Sequence, residues 1–347
     1  MKSVVLLGGF PPPVGGNSVH IERLAIKLAS SGYRCQVIDP YSSEPVSGER
    51  SFCVTRVGGK GFLSLIKAGL LIRKIKPDVI HIHVSAMEKF VYAGPILFLL
   101  SGRSAKRVLT IHSGSFVKRF LDQSSFKRLF TIGFLKKFSS LIAVNFDQKK
   151  VLAEHGCDKE KIAVVPAYLP AEVTESSTLR GLVDKASFDG KKLLVTSGYG
   201  LQLYGYEKII EALSIDPNLA KEFRLVVCLY NTYDEDYLGR LNDSISRLDD
   251  AVVLRGLAAG EFAYLLGQAS VYVRATDRDG DAVAIREANS FGVKVIATSV
   301  VLRPEYCTLF DRNQTSSLIK ALRDSLREGG VSVSVDEDNF KKVVANY

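Results

Sequence analysis

The sequence predicts two α/β domains, each built on a doubly wound parallel sheet. Short runs of β-branched and aliphatic residues alternate with helical patterns almost from end to end. The 347 residues are 46% hydrophobic, which is enough to fill two cores of ordinary size. The alternation lapses once, over residues 167–191, where Ser, Thr, Glu and Pro are frequent. We therefore expect an N-terminal Rossmann-like domain over residues 1–166, a linker over 167–191, a C-terminal Rossmann-like domain over 192–330 and a helical segment over 331–347.

Each predicted strand is a short apolar run bounded by turn residues or by a helical pattern. In the first half these runs are SVVLLGG, CQVID, FCVTRV, DVIHIH, RVLTIH, LIAVN and IAVVP. In the second half they are KLLVTSG, FRLVVCL, VVLRG, SVYVRA and VKVIAT. The last segment, DEDNFKKVVANY, begins with acidic residues and continues with helix formers, so a capped terminal helix is expected.

The net charge of +9 is distributed unevenly along the chain. Residues 1–165 carry 25 Lys and Arg against 11 Asp and Glu, whereas the remainder carries 21 against 26. The first half is therefore expected to meet something anionic. No nucleic-acid-binding motif accompanies this charge, so we expect no nucleic acid, and an anionic membrane surface fits better.

The sequence carries no sign of export or of membrane insertion. The start, MKSVVLLGGF, is too short in its apolar part for a signal peptide, and no uninterrupted apolar run reaches the length of a spanning helix. We therefore expect a cytoplasmic protein, peripheral at the inner face of the membrane. The five cysteines are far apart and form no CxxC pair, which predicts reduced thiols rather than zinc ligands or disulfides.

A glycine loop follows the first predicted strand, in the segment GGFPPPVGGNSVH. Gly15 and Gly16 can bring backbone N–H groups against a phosphate at a helix N-terminus, and Asn17 is placed to cap that helix. The alternative is a plain strand-to-helix turn, in which glycine is equally common. The G-x-G-x-x-G spacing of a dinucleotide site is absent here and in GYGLQL at Gly198, so a dehydrogenase is not expected.

Three histidines lie at the carboxyl ends of predicted strands, where open α/β sheets bind their ligands. They are His81 and His83 in DVIHIH and His112 in TIHSGS. His112 is the strongest candidate. We expect His81 and His83 to lie on opposite faces of their strand, so that one of them is structural. His20 and His155 are expected to be helix-surface or packing residues.

An acidic turn and the helix after it form the main candidate site of the second half, in DRDGDAVAIREA. Asp279 lies in the turn and Glu287 two turns into the helix, where both can accept hydrogen bonds from sugar and ribose hydroxyls. The N–H groups near Ala282 and Val283 face an anion at the helix N-terminus.

Three other interpretations of this turn stay open. Asp277, Asp279 and Asp281 resemble a calcium loop, but Gly280 is misplaced and Ala288 stands where that loop needs Glu. The same aspartates form DxD pairs, which bind metal-diphosphate in single-domain glycosyltransferases. The simplest alternative is a helix N-terminus that carries aspartates for stability alone.

Taken together, these segments resemble the family-4 retaining glycosyltransferases of the GT-B fold, in the subgroup with a DGD-type loop. The resemblance rests on PPPVGG with His20, on DVIHIH, TIHSGS and AVVPAY, on DGDAVAIREA, and on the RPE segment at Arg303. It implies two Rossmann-like domains that face a central cleft. It also implies transfer of a sugar, with retention, from a nucleotide-sugar donor to a hydroxyl of a glycan or lipid-linked glycan acceptor, in surface polysaccharide or glycolipid assembly. No metal and no other cofactor are expected.

The resemblance also implies a role for each site residue. His112 would lie by the transferred sugar and Asp279 would bind its hydroxyls. From the resemblance and from the arguments on the helix N-terminus and the clamp together, the residues expected at the donor and its nucleotide are Gly15, Gly16, Arg255, Gly256, Asp281, Ala282, Val283, Glu287 and Arg303. Among these, the two glycines would approach the diphosphate, Glu287 the ribose, and Arg255 and Gly256 the base.

Two departures from the family pattern matter. The first glutamate of the family's carboxylate pair is Asp279 here. The Arg and Lys that bind the diphosphate align with Tyr199 and Tyr204, so the usual cationic clamp is missing. We expect another arginine to replace it, because each charge-assisted hydrogen bond contributes roughly 1.5–3 kcal/mol. The candidates are Arg274, Arg278, Arg286 and the favoured Arg303.

A basic and aromatic stretch, SFVKRFLDQSSFKRLFTIGFLKKF, follows His112. Its cations Lys118, Arg119, Lys127 and Arg128 are expected to dock on anionic lipid beside a lipid-linked acceptor. The alternative is that the phenylalanines of this stretch are buried in the protein, because apolar residues occur nearly all round its second half.

Two other functions remain possible on the same architecture. A nucleotide-sugar epimerase would convert the donor without any acceptor. A non-catalytic sugar-nucleotide or glycan-binding partner, which Tyr199 and Tyr204 favour, would bind nucleotide without turnover.

Overall fold

The computed structural model describes the chain as two compact units. The described residues are 1–46, 48–58, 62–102, 104–248, 250–279, 282–327 and 339–347. The first unit contains Met1–Leu169 together with the described C-terminal residues 339–347, and the second contains the described residues from Pro170 to Arg327. Each unit has its own sheet and its own hydrophobic core.

The first unit is built on a seven-stranded sheet whose paired strands all run parallel. The strands are β1 (Ser3–Leu7), β2 (Arg34–Asp39), β3 (Cys53–Arg56), β4 (Val79–Val84), β5 (Lys106–Ile111), β6 (Ser140–Ala143) and β7 (Ile162–Val164). Their order is β3-β2-β1-β4-β5-β6-β7, so the order reverses between β1 and β4. Every residue of β1 and of β4 is buried, as expected for parallel strands covered on both faces.

Helices cover both faces of this sheet. They are α1 (Gly16–Ser30), α2 (Phe62–Ile75), α3 (Met87–Leu100), α4 (Phe116–Leu121), α5 (Ser125–Leu135) and α6 (Phe146–Glu154). Two separate clusters of buried apolar side chains, one containing Val5 and Ile80 and the other Val4 and Leu6, fill the two sides. Consecutive residues of β1 thus feed opposite cores, because side chains alternate along a strand.

The second unit repeats this plan with a six-stranded parallel sheet. Its strands are β8 (Lys192–Gly200), β9 (Phe223–Tyr233), β10 (Ala251–Arg255), β11 (Val271–Arg274), β12 (Lys294–Thr298) and β13 (Cys307–Phe310). The order is β10-β9-β8-β11-β12-β13, which reverses between β8 and β11. Its helices are α7 (Ser177–Phe188), α8 (Tyr206–Ile215), α9 (Pro217–Glu222), α10 (Glu235–Ile245), α11 (Ala259–Gly267), α12 (Val283–Ser290) and α13 (Thr315–Arg327). The predicted fold class, two doubly wound parallel-sheet domains, is therefore confirmed.

The predicted linker over residues 167–191 is wrong in detail, because α7 occupies much of it. Ser176 caps this helix by accepting a hydrogen bond from the Leu179 N–H at 3.4 Å. Leu179 and Ala186 are buried, and Leu182 and Val183 pack against the same core of the second unit. These four residues have helical spacing, which the frequent polar residues around them conceal.

The terminal helix α14 (Asn339–Val344) belongs to the first unit. Val343 and Tyr347 are buried in a core of that unit, and Asn339 Nδ2 donates to the Tyr168 carbonyl oxygen at 3.1 Å. Of the predicted helical segment 331–347, the first eight residues lie outside the described ranges.

The turn before α8 provides a test of the second unit's backbone. Gly205 has φ of +67°, and a Cβ on it would lie 2.2 Å from the Ala275 carbonyl oxygen. Gly205→Ala should therefore lower the free energy of unfolding by at least about 1–3 kcal/mol. Gly239, inside α10, is the matched control, because a Cβ there meets nothing within 4 Å.

Gly239→Ala should raise stability by about 1 kcal/mol, since alanine is the better helix former. Urea unfolding followed by far-UV circular dichroism measures both variants. Equal midpoints for Gly205→Ala and the parent protein would contradict the described turn.

Candidate functional site

The glycine loop leads from β1 into α1, whose N-terminus lies at the point where the first sheet reverses its order. Gly15 is the N-cap residue, and its N–H donates to Ser18 Oγ at 3.0 Å. No side chain caps the helix from this position. The prediction that Asn17 is the cap is wrong. Asn17 lies in the first turn, and its Nδ2 donates instead to Ser85 Oγ at 3.2 Å.

The two glycines differ in what they can offer an anion, because the Gly15 N–H is already bonded to Ser18 Oγ. Gly15 is buried and Gly16 is exposed. A Cβ on Gly16 would meet nothing within 4 Å, so no neighbouring atom of the described residues crowds this N-terminus. First-turn N–H groups without a side-chain cap are available to an anion.

A cluster of histidines lies next to this loop, at the carboxyl ends of β4 and β5. His83 Nδ1 and His112 Nε2 are 3.0 Å apart. The His20 ring, from α1, lies 5.0 Å from that of His112 and 5.6 Å from that of His83, measured between centroids. His20 is buried and its Nδ1 lies 3.2 Å from the Ala167 carbonyl oxygen, so this residue belongs to the cluster rather than to the helix surface.

The expectation that His81 and His83 lie on opposite faces of their strand is wrong. Their ring centroids are 4.1 Å apart, because residues two positions apart on a strand share a face. His81 has a structural role, since its Nδ1 bonds to the Tyr347 hydroxyl at 2.8 Å and its Nε2 to Thr110 Oγ1 at 2.7 Å. His155 lies outside the cluster, with its ring 5.0 Å from that of Phe120.

Burial keeps the clustered imidazoles neutral. It lowers the pKa of His20 to about 4 and that of His81 to about 3. Burial is also the main cause that holds the pKa of His83 and of His112 well below the usual value, and the neighbouring histidines lower both further. At neutral pH each ring then carries one N–H and one lone pair.

The second unit places its candidate residues at the carboxyl ends of β8, β11 and β12. The Asp279 carboxylate accepts from Arg274 Nε at 3.0 Å and from Arg274 Nη2 at 3.2 Å. It also accepts from Arg303 Nη1 at 3.0 Å. The side chain of Arg303 is 2% exposed and that of Asp279 is 8% exposed, so this is a buried group of two cations and one anion.

Burial by itself would raise the pKa of the Asp279 carboxyl. The charges of Arg274 and Arg303, and their hydrogen bonds, outweigh it and hold that pKa below its usual value. Both carboxylate oxygens are engaged by guanidinium groups. A sugar hydroxyl can therefore reach Asp279 only beside these bonds or in place of one of them.

The two arginines are held by backbone as well. Arg274 Nη1 donates to the Ser197 carbonyl oxygen at 2.9 Å, and Arg303 Nε donates to that of Thr298 at 3.1 Å. Among the described residues, buried Arg303 Nη2 has no hydrogen-bond partner. This atom is a donor that a ligand could use, because buried polar groups are nearly always paired.

Tyrosines surround the guanidinium of Arg274. Its Cζ lies 5.0 Å from the centre of the Tyr204 ring, which is within the range of a cation–π contact. The Tyr199 ring packs edge-on against Tyr204 and Tyr230, with centroids 5.8 and 5.3 Å away. In the family pattern a cationic residue stands at the position of Tyr204. Here Tyr204 instead packs against the cation Arg274, a contact that the sequence did not reveal.

The other residues predicted in this half are distributed along the same sheet edge. Ala282 is the N-cap of α12 and Val283 its first residue, and no side chain caps this helix from Ala282. Glu287 is buried on α12. Arg255 ends β10 and is exposed, and Gly256 follows it at φ +68°. Asp281 lies outside the described residues.

The remaining arginine candidates lie on the acidic turn itself and on α12. Arg278 is exposed, and its neighbour Asp277 pairs with Arg312. Arg286 is half-buried on α12. The structure thus brings Arg274 and Arg303 to the Asp279 carboxylate.

The basic and aromatic stretch after His112 is divided between core and surface. Phe116, Phe120, Phe134 and Phe138 are buried, as the burial alternative predicted. Phe126, Leu129 and Phe130 on α5 are exposed, by 79%, 72% and 44%. Lys118, Arg119 and Lys127 are exposed as well, whereas Arg128 is half-buried and donates to the Leu121 carbonyl oxygen at 3.0 Å.

A surface cavity of about 520 Å³ opens between α3 and this stretch. Arg119, Lys127, Gln123 and Tyr92 are among the residues that line it. In the described parts of the chain, none of the helices combines the length and the apolar character that a bilayer crossing requires.

Residues 14–168 match the sequence model described as Glycosyltransferase Family 4. The matched part contains Gly15, Gly16 and the histidine cluster, so the expected resemblance to that family is confirmed there. A search of curated proteins returned no significant match.

Solved structures extend the similarity to both units of this chain. HepE of Anabaena, in complex with UDP and glucose, is 14% identical with a TM-score of 0.71, and the alignment covers 94% of this chain and 90% of HepE. Sucrose-phosphate synthase from Thermosynechococcus elongatus is 15% identical with the same TM-score and coverages. WaaG, a glycosyltransferase involved in lipopolysaccharide biosynthesis, is 14% identical with a TM-score of 0.67, covering 94% and 91%. Identities this low establish the GT-B fold alone.

The Asp279 group can be tested through stability. Asp279→Asn leaves two buried guanidinium groups without their anion, so the free energy of unfolding should fall by about 3–5 kcal/mol. Asp277→Asn, two residues away, is the matched control, because its pair with Arg312 is partly exposed. That change should cost less than about 1 kcal/mol.

Urea unfolding of both variants at pH 7 measures the difference. If Asp279→Asn were as stable as Asp277→Asn, the carboxylate would not be holding the two arginines.

Proposed function

We propose that the chain is a retaining glycosyltransferase. It moves a sugar from a nucleotide-diphosphate-sugar to a hydroxyl of a glycan or lipid-linked glycan. The observation that carries this proposal is the convergence of two buried arginines, Arg274 and Arg303, where the second sheet reverses its strand order. Ligands of open α/β sheets bind at such points, and two guanidinium groups against one carboxylate leave a net positive charge for a diphosphate.

The leaving diphosphate is the centre of the proposed chemistry. In transfer with retention and without a covalent intermediate, the bond from the anomeric carbon to the diphosphate breaks, and its electron pair leaves with the phosphate. The acceptor oxygen bonds to the same face of that carbon, and its proton passes to the departing phosphate. The protein's main task is to stabilise the developing charge, which fixed donors do most effectively.

Each donor has a proposed place in this step. Arg303 Nη2 and the N-terminus of α12 at Ala282 and Val283 bind diphosphate oxygens. Arg274, supported by the Tyr204 ring, holds Asp279, which in turn orients Arg303. Arg274 and Arg303 therefore replace the missing cationic clamp, and the main role of Asp279 is to position them.

The remaining proposed contacts follow the family resemblance. Glu287 accepts from ribose hydroxyls, and Arg255 and Gly256 lie by the base. Neutral His112 contacts the transferred sugar, and Gly16, in the first turn of α1, offers its N–H group to the donor, while the Gly15 N–H stays bonded to Ser18 Oγ. No step of this scheme uses a metal.

Transfer is tested by screening nucleotide-sugars for nucleoside diphosphate release, with and without lipid-linked and soluble acceptors. Acceptor-dependent release supports the proposal. Conversion of the donor sugar without acceptor supports the epimerase instead. Nucleotide binding with no turnover of any donor supports the non-catalytic partner.

Arg303 gives the sharpest binding test. Arg303→Ala should weaken UDP binding at least about tenfold, the size of one lost charge-assisted hydrogen bond, and leave uridine binding unchanged. Arg278→Ala, an exposed neighbour, should change neither. Calorimetric titration measures both ligands, and GDP with guanosine serves if the parent binds no UDP.

Arg303→Lys controls for folding, since it keeps the charge near Asp279. It should retain more diphosphate affinity than Arg303→Ala. Equal losses for UDP and uridine would make Arg303 structural and would leave the diphosphate without a clamp.

We also propose that the first unit docks on anionic lipid at the cytoplasmic face of the membrane. The supporting observation is the exposed apolar surface of α5, Phe126, Leu129 and Phe130, beside Lys127 and the cavity that it lines. Apolar side chains can enter the headgroup region while the cations meet lipid phosphates. A lipid-linked acceptor would be found at the same surface.

Vesicle sedimentation tests this docking. Replacing Lys118, Arg119, Lys127 and Arg128 with glutamine should weaken binding to phosphatidylglycerol vesicles about a thousandfold, at about 1 kcal/mol per cation. Replacing Lys149, Lys150, Lys159 and Lys161 instead removes the same charge elsewhere in the first unit and should have little effect. Equal losses in the two variants would reduce the effect to net charge, and no binding by the parent would exclude docking.

A further inference from the structure

We infer that His20, His83 and His112 form a binding site for a divalent cation of the zinc class. One ring nitrogen of each lies within 4.8 Å of the other two. The three residues come from α1, from β4 and from the position after β5, so only the fold brings them together. Three imidazoles, with a fourth position left to water or another ligand, are one of the sets that hold zinc. The inference rests on this geometry and does not depend on the proposed transfer activity.

The first support is the orientation of His20. Its Nδ1 lies 3.2 Å from the Ala167 carbonyl oxygen, which can only accept a hydrogen bond. Nδ1 therefore carries the hydrogen, and Nε2 carries the lone pair. Metal-binding histidines commonly donate their second ring N–H to a backbone carbonyl or a carboxylate in this way, which fixes both tautomer and ring orientation.

The second support is the pair His83 and His112. Their facing nitrogens are 3.0 Å apart and share one proton in the metal-free protein. A cation there binds the lone pair of both facing nitrogens, and the proton moves to the other nitrogen of the ring that carried it, so both rings stay neutral. Tetrahedral zinc, with bonds of about 2.0–2.1 Å, separates its ligand nitrogens by about 3.4 Å, so this pair needs little movement. The other nitrogen–nitrogen distances are at most 4.8 Å, so ring rotation has to shorten them by at most roughly 1.5 Å.

The third support is the second nitrogen of His83. His83 is 1% exposed, and within the described ranges its Nε2 has no hydrogen-bond partner. Nε2 can therefore carry the hydrogen of the ring when Nδ1 binds a cation. His81 is not a ligand, because the Tyr347 hydroxyl and Thr110 Oγ1 occupy its two nitrogens. It packs against His83 instead and restricts the movement of that ring.

The inferred cation has no step in the proposed transfer. A cation on His112 Nε2, the nitrogen that faces His83, would leave Nδ1 of the same ring for a sugar hydroxyl.

The experiment measures metal directly. Chelator-treated protein that carries Cys53→Ser, which removes the exposed thiol, is dialysed against Zn²⁺ and titrated with Co²⁺. We expect one equivalent of Zn²⁺ and the visible absorption of four-coordinate Co²⁺. His20→Gln and His83→Gln should each lower the Zn²⁺ affinity about a hundredfold or more. His155→Gln, outside the cluster, should leave it unchanged.

Two results would overturn the inference. One is equal Zn²⁺ affinity for His20→Gln and the parent. The other is a Co²⁺ spectrum that lacks the four-coordinate bands. Zn²⁺ should also raise the thermal midpoint of the parent and not that of His20→Gln, so the test stands even if the His83 variant fails to fold.

Discussion

The parallel pairing of β1 with β4 and of β8 with β11 is the constraint on which the candidate sites depend. Parallel strands deliver their carboxyl ends to one edge, and the reversal of strand order leaves that edge open between the two strands. In the first unit this edge collects the glycine loop, His83 and His112. In the second it collects Arg274, and the Asp279 carboxylate that Arg274 binds.

Burial then sets the chemistry of each edge. In the first unit it removes charge, since desolvation holds the clustered histidines neutral. In the second unit charge survives burial, because Asp279 has two arginines and those arginines have backbone carbonyls. The sheet edge of the first unit therefore offers neutral imidazoles, which donate through N–H groups and accept through lone pairs. The edge of the second unit is suited to binding an anion.

Each of the two sheet edges also depends on an aromatic side chain beside it. Tyr347, in the C-terminal segment, bonds to His81, and His81 packs against His83. The Tyr204 ring supports Arg274. Each site thus relies on an aromatic side chain that need not touch a ligand. Substitutions at Tyr347 or Tyr204 are expected to act through the orientation of the residues beside them.

The sequence by itself determined the fold class and most of the strands, because β-branched runs and helical patterns alternate with clear boundaries. It also located the glycine loop, His112 and the acidic turn, since these motifs are local. It missed α7, whose four apolar residues lie among polar ones, and β13, a strand of four residues. The sequence analysis also placed His81 and His83 on opposite faces of β4, although residues two positions apart on a strand share a face.

Only the tertiary structure decided which side chains meet. His20 and His112 are 92 positions apart in the sequence, and their meeting depends on the packing of α1 beside β4 and β5. Arg303 reaches Asp279 because β12 lies next to β11. The sequence favoured Arg303 as a ligand of the diphosphate, but it did not predict that Asp279 would join Arg303 to Arg274. Local spacing determines elements, whereas a site made from separate elements depends on strand order and packing, which local patterns do not encode.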